Sequence, residues 1–325
     1  MVVAAAVRSD DRPMDSRIQA LVDEQHGAFS AAEASARGID ATALRSAARA
    51  GQVVRVRRAA YVDRVAMLAA GPDERFRLAA MAVARTRPGD ALSHHAALAL
   101  HGLPLWGHDP ARIDLLGDAR QIVHRSGVSV RPLEGAHTEQ VRGLAVVGVA
   151  RAVVGTALTM GPDCAVVAGD AALHRGLVGL DDLLHEVAGV SPHEGRQPAL
   201  DAVLRMDAKA ESVGESRTRL ILQDAGLPHE SQYVITDEFG FVARVDFLVD
   251  GVVLEFDGKL KYQRSRDRED GPEADPGEVV WLEKRREDRV RRLGYPFERV
   301  VWDELSRPQV LGRRLRDARR NRRSA

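Results

Sequence analysis

The chain has 325 residues, enough for two or three ordinary domains, and its 47 basic and 47 acidic side chains cancel to a net charge of zero. Bulk electrostatics therefore select no partner, and a single cysteine, Cys164, excludes an intramolecular disulfide framework and leads us to expect a reducing cytoplasm. No run approaches the roughly 18–20 apolar residues that span a bilayer, and MVVAAAVRSDDRP has no basic stretch before its short apolar run, so neither a membrane segment nor a signal peptide is expected.

Residues 15–64 read as three short helices followed by a two-stranded wing. Ile18, Leu21 and Val22 form a helical stripe, Ser30-Ala-Ala-Glu33 matches a capping box, and Asp40 is placed to cap a third helix, ATALRSAARA, which Gly51 stops. QVVRVRRAAYV then alternates as a hairpin carrying Arg55, Arg57 and Arg58. This is the layout of a winged helix-turn-helix, whose third helix enters the major groove of double-stranded DNA. Thr42, Arg45, Ser46 and Arg49 are then expected to face DNA, with Arg57 and Arg58 on phosphates. The alternative is a small helical domain that uses this face for protein contact or leaves it unused.

Residues 18–63, with QVVRVRRAAYV closing the wing, resemble the N-terminal winged-helix domain of the bacterial AbiEi (type IV antitoxin-like) group, and SHHAALALHGLP at 93–104 is similar to the segment that follows there. The resemblance implies promoter binding, autoregulation and a cognate toxin as partner.

Residues 71–188 read as a mixed α/β scaffold. Helices are expected near 73–86, 93–101, 149–160, 163–174 and 180–188, with strands at 113–116 and 128–131. His94 and His101 share a helical face without a third ligand at metal-site spacing, and Cys164 falls in an apolar helical run, so all three read as structural. The Pro- and Gly-bearing stretch 189–200 reads as a linker.

The third segment, 201–306, begins with a helix expected over 201–225 that carries Glu211, Glu215, Arg217 and Arg219. QYVI and FVA flank a turn and lead into a hairpin over 244–259: RVDFLV, Asp250-Gly251, VVLEFDGK. The Asp-Gly turn sets Val249 opposite Val252, Leu248 opposite Val253, Phe247 opposite Leu254 and Asp246 opposite Glu255. One face is then wholly apolar, while the other carries Arg244, Asp246, Leu248, Val253, Glu255 and Asp257. Directly opposed Cβ atoms lie roughly 5 Å apart, so two carboxylates there repel, and a divalent cation such as Mg²⁺ or Mn²⁺ would relieve the cost. The competing reading is a solvated face on which Arg244 neutralises Asp257. A charged loop, a helix over 278–293, the strand FERVVW and a basic helix or tail at 307–325 complete the chain.

Helix, three-stranded meander, helix, strand is the αβββαβ order of the restriction-endonuclease-like core. Residues 205–305 resemble the PD-(D/E)xK-fold domain of bacterial proteins related to very-short-patch-repair (Vsr-like) endonucleases, through Glu215, RVDF at 244–247, VLEFDG at 253–258 and EKRREDRVRRLGY at 283–295. The fold class expected is thus α+β multidomain: an N-terminal winged helix, a mixed α/β middle domain and a C-terminal restriction-endonuclease-like core. The resemblance implies a Mg²⁺-dependent endonuclease in which Asp246 and Glu255 hold the metal, with Glu215 and Asp257 as outer or second-metal ligands. Lys259 or Lys261 would position water, stabilise the phosphorane or hold the nucleic-acid backbone. The chain departs from the superfamily at Asp257, which stands where lysine is usual. Either Glu255 and Asp257 both serve the metal with a lysine reaching back, or the triplet is Asp257-Gly258-Lys259. The rival function is a non-catalytic autoregulator or antitoxin of a toxin–antitoxin or phage-defence system.

Overall fold

The structure is a computed structural model that describes residues 13–133, 135, 137–258 and 276–324. Lys259 and Lys261 lie outside the described residues. The chain divides into two compact units: Met1–Ala172 with Gly176–Leu204, and Leu173–Arg175 with Arg205–Ala325.

The first unit opens with α1 (Ser16–Glu24), β1 (Ala28–Ser30), α2 (Ala31–Ala36), α3 (Ala41–Arg49), β2 (Val53–Arg57) and β3 (Ala60–Asp63). The strands form an antiparallel sheet in the order β1-β3-β2. Ile18, Leu21, Phe29, Leu44, Val53 and Tyr61 meet in one apolar cluster, so the helical stripe and the wing share a core. Local chemistry places the helices. Ser30 and Glu33 form the expected capping box, and the Asp40 carboxylate accepts from the N–H groups of Thr42 and Ala43, both at 2.8 Å. The three-residue β1 has no counterpart in the sequence reading.

After α4 (Arg64–Ala69) and α5 (Pro72–Ala84) comes a mixed sheet built of β4 (Ala91–Leu92), β5 (Ile113–Gly117), β6 (Val123–Arg125), β7 (Val128–Pro132), β8 (Thr138–Val141) and β9 (Leu144–Val147). Its order is β6-β7-β5-β4-β9-β8. The helices are α6 (His94–Leu100), α7 (Val149–Met160), α8 (Pro162–His174), α9 (Leu180–Gly189) and α10 (Arg196–Leu204). Part of the expected linker, from residue 196 on, is therefore helical.

The second unit runs α11 (Val213–Asp224), β10 (His229–Asp237), β11 (Gly240–Val249), β12 (Val252–Asp257), α12 (Pro276–Arg292), β13 (Phe297–Val301), α13 (Trp302–Leu305) and α14 (Pro308–Ser324). The helix expected over 201–225 is in fact two, broken at residues 205–212. Ser212 caps α11 by accepting from the Glu215 N–H at 3.2 Å. Strand order is β10-β11-β12-β13, with the first three antiparallel and β13 parallel to β12.

The hairpin register appears as read, Val249 against Val252, Leu248 against Val253 and Phe247 against Leu254. Asp250 and Gly251 both take positive φ, 51° and 85°, as a primed two-residue turn demands. The expected Asp246–Glu255 pair is not part of the ladder. The β11–β12 ladder ends at Phe247–Leu254; beyond it the Phe256 N–H donates to the Asp246 side chain at 2.7 Å, while β12 continues to pair with β13, Glu255 lying in register with Arg299. Both faces of the hairpin are covered. Phe247, Val249, Val252 and Leu254 pack with Leu222, Val300 and Leu311, while Val253 and Leu248 pack with Val290 and Phe297.

Candidate nucleic-acid interface and carboxylate site

In the second unit Glu215 from the first turn of α11 and Glu255 from β12 both act electrostatically on Asp246 of β11. Glu215, 8 % exposed, accepts from the Ser212 hydroxyl at 2.7 Å, the Glu211 N–H at 3.0 Å and the Gln232 amide at 2.9 Å. Both Glu255 oxygens accept from the Arg286 guanidinium of α12, at 2.8 and 3.0 Å, a bidentate charge-assisted pair. Asp246 is bonded by the Phe256 N–H. Burial, then the charges of Glu215 and Glu255, push its carboxyl up to about 7, against the lowering effect of that N–H and of Arg286.

The oxygen-only chemistry of this cluster suits a hard divalent cation. Its present geometry does not offer a ready cage: among the described residues no three His, Cys, Asp or Glu side chains are grouped to hold a metal ion, and Arg286 occupies both oxygens of Glu255. Asp257 follows Glu255 on β12, in register with Val301.

In the first unit α3 buries Leu44 and Ala47 and turns Thr42, Arg45, Ser46 and Arg49 outward, all four exposed. Arg45 donates to the Thr42 hydroxyl at 3.0 Å, which lays the guanidinium along the helix surface. Arg55 and Arg58 of the wing are exposed as well. Arg57 is engaged elsewhere: its guanidinium donates to the carbonyls of Ser126, at 2.6 Å, and Ala111. A side chain at Gly127, φ +74°, would strike the Ala111 carbonyl oxygen at 2.4 Å and Arg57 at 2.5 Å, so the glycine admits this anchor. Arg57, expected on phosphate, is thus committed to these carbonyls, while exposed Arg55 donates to the Arg57 carbonyl at 3.3 Å.

Residues 16–62 match the family model described as "Transcriptional regulator, AbiEi antitoxin". The match ends one residue short of the end of β3, so it covers the winged helix and leaves both later segments untouched. No curated protein matches the chain.

Within the AbiEi-like segment, the four α3 residues named from sequence share one open face. In the carboxylate site the structure brings together Glu215, Asp246 and Glu255. Three further participants were missed. Gln232 holds a left-handed backbone, φ 52°, at the register position opposite Asp246, and such a strained non-glycine residue beside a charged cluster is a feature of functional sites. Nothing in QYVI signals it. Arg286 lies in the REDR run of α12, where only the fold shows which arginine faces Glu255. Gly214 had a signal: Ser212-Val-Gly-Glu215 is a capping-box spelling that marks a helix start. A Cβ at Gly214 would stand 1.9 Å from the Phe256 ring, so this glycine lets α11 approach β12 and brings Glu215 to the site.

Proposed function

We propose that this protein is a DNA-binding transcriptional regulator of the antitoxin type, reading its own promoter through α3 and gripping the backbone with the wing. The observation that carries this is the single exposed face of Thr42, Arg45, Ser46 and Arg49, on the third helix of a segment that matches AbiEi antitoxin regulators. Arginines on a major-groove helix make bidentate contacts to guanine, each contributing about 1–3 kcal/mol of discrimination. Arg55 and Arg58 bind phosphate and carry no sequence information. This reading makes a cognate toxin the protein partner and the cytoplasm the working compartment. No helix among the described residues is long and apolar enough to cross a membrane. DNase I footprinting on the DNA upstream of the gene is expected to reveal a protected site, and absence of protection at low salt would overturn the reading.

A second reading, Mg²⁺- or Mn²⁺-dependent phosphodiester hydrolysis by a restriction-endonuclease-like second unit, is favoured by one observation. Glu215, Asp246 and Glu255 are close enough that the first and last raise the pKa of the middle one. Asp246 and Glu255 would hold the cation once Arg286 released the Glu255 oxygens, with Glu215 and Asp257 beside them; the chemistry a cation held there would supply is polarisation of the phosphate and activation of water. Lys259 and Lys261 are the candidates for a cationic partner to the phosphate. Supercoiled plasmid incubated with Mg²⁺ or Mn²⁺ is expected to be nicked by wild type and left intact by Asp246→Ala and Glu255→Ala. Nicking that persists in both variants removes these residues from the mechanism, and no nicking by wild type leaves the regulator alone.

A further inference from the structure

We propose that a cleft of about 450 Å³ in the first unit, set between the mixed sheet and helices α7 and α9, binds a small organic monoanion, a carboxylate on an apolar body. This site is independent of both functions proposed above.

Its walls combine two chemistries. Leu116, Val154, Leu158 and Val190 supply hydrocarbon, and Arg131 and Arg151 supply guanidinium groups. The volume lies within the usual range for a small-molecule pocket, in which a few polar groups orient a mainly apolar ligand.

The charges around the cleft do not cancel. Asp114, fully buried, accepts from Arg112 at 2.9 Å and lies 3.6 Å from the Arg131 Nε, so two arginines share one carboxylate. Arg151 faces Glu186 at 3.7 Å, which balances that pair. Burial holds the His94 imidazole neutral by pushing its pKa down to about 3. Three guanidiniums against two carboxylates leave one positive charge, which suits one carboxylate, repels amines and is too small to neutralise a polyphosphate.

His94 gives the cleft a constructed polar edge. It is 8 % exposed and has φ +53°, a left-handed backbone that a β-carbon makes costly and that surrounding structure must enforce. Its Nδ1 lies 2.9 Å from the buried Ser93 hydroxyl. If Ser93 donates there, Nε2 carries the proton and becomes a neutral donor at the ring's opposite edge. Gly155 of α7 lies directly against that edge: a Cβ there would stand 3.1 Å from Cδ2 and 3.2 Å from Nε2. A histidine serving only as core filler has no use for the strained backbone, the serine and the glycine gap together.

The test is isothermal titration and thermal unfolding of the full chain with sodium butyrate, hexanoate, octanoate and benzoate, with hexylammonium chloride at matched ionic strength as the control. At least one carboxylate is expected to bind with one-to-one stoichiometry and to raise Tm progressively with concentration, while hexylammonium does neither. Arg131→Gln is expected to weaken binding at least tenfold. Should that variant fail to fold, Leu158→Trp, which fills the cleft from its half-open rim, is expected to abolish binding with the circular dichroism spectrum unchanged. The proposal is overturned if none of the four carboxylates binds at millimolar concentration, if hexylammonium protects equally, or if binding survives both substitutions.

Discussion

Asp246 is the residue whose surroundings ask most of it. A carboxyl that ordinarily titrates at 3.8 is held at about 7 by burial and by Glu215 and Glu255, so near neutral pH it is shared between its two protonation states. The consequence for stability has a definite sign. Between those two values the folded chain retains a proton that the unfolded chain has released, so this group makes stability fall as pH rises from about 4 to about 7 and adds no further change above that. Asp246→Asn keeps a side-chain oxygen for the Phe256 N–H and removes the charge. The variant is expected to gain stability at pH 8, on the order of 2 kcal/mol, and to lose this group's part of the slope between pH 4 and 7 in urea unfolding. A parallel pH profile for wild type and variant would show that Asp246 is not the group responsible.

At the scale of elements, the second unit depends on a close approach between α11 and β12. Gly214 is where the Phe256 ring meets the helix, with no room for a methyl group. Gly214→Ala is expected to destabilise the protein by about 1–3 kcal/mol, the usual cost of overpacking, despite alanine's higher helix propensity. An unchanged urea midpoint would mean that the contact relaxes freely. The elements most legible in the sequence were those with strong local chemistry. Asp40 and Gly51 bounded α3, and Asp250-Gly251 fixed the hairpin turn and three residue pairs beyond it. The pair that mattered most, Asp246 with Glu255, is not in the ladder, which ends at Phe247–Leu254; the Asp246 carboxylate takes the Phe256 N–H instead, a side-chain to backbone bond that alternation along a strand does not announce. The break between α10 and α11 was hidden because apolar and helix-forming residues continue through it. In the fold, buried Arg219 donates to the Arg205 carbonyl, and the Arg205 side chain bonds Asp224 at 2.7 Å, so residue 205 is tied to α11 without being part of a helix. β6 and β8 escaped notice because exposed side chains interrupt the alternation that marks a half-buried strand.

At the scale of the whole molecule, zero net charge conceals an uneven distribution of charge. The winged helix presents arginines to solvent, whereas the second unit sets carboxylates against one another and ties one of them to Arg286. DNA recognition is assigned to the first unit, so it should be insensitive to Asp246 and Glu255 and sensitive to α3. The measurement that tests this most directly is the Kd for the footprinted promoter duplex and for a scrambled duplex of equal length, at one fixed salt concentration. The comparison takes wild type, Arg45→Ala/Arg49→Ala and Asp246→Ala. The double arginine variant is expected to lose at least about tenfold on the promoter and to retain most of its weak affinity for the scrambled duplex, and Asp246→Ala is expected to match wild type on both. Promoter affinity unchanged in the double variant would contradict the assignment of recognition to α3.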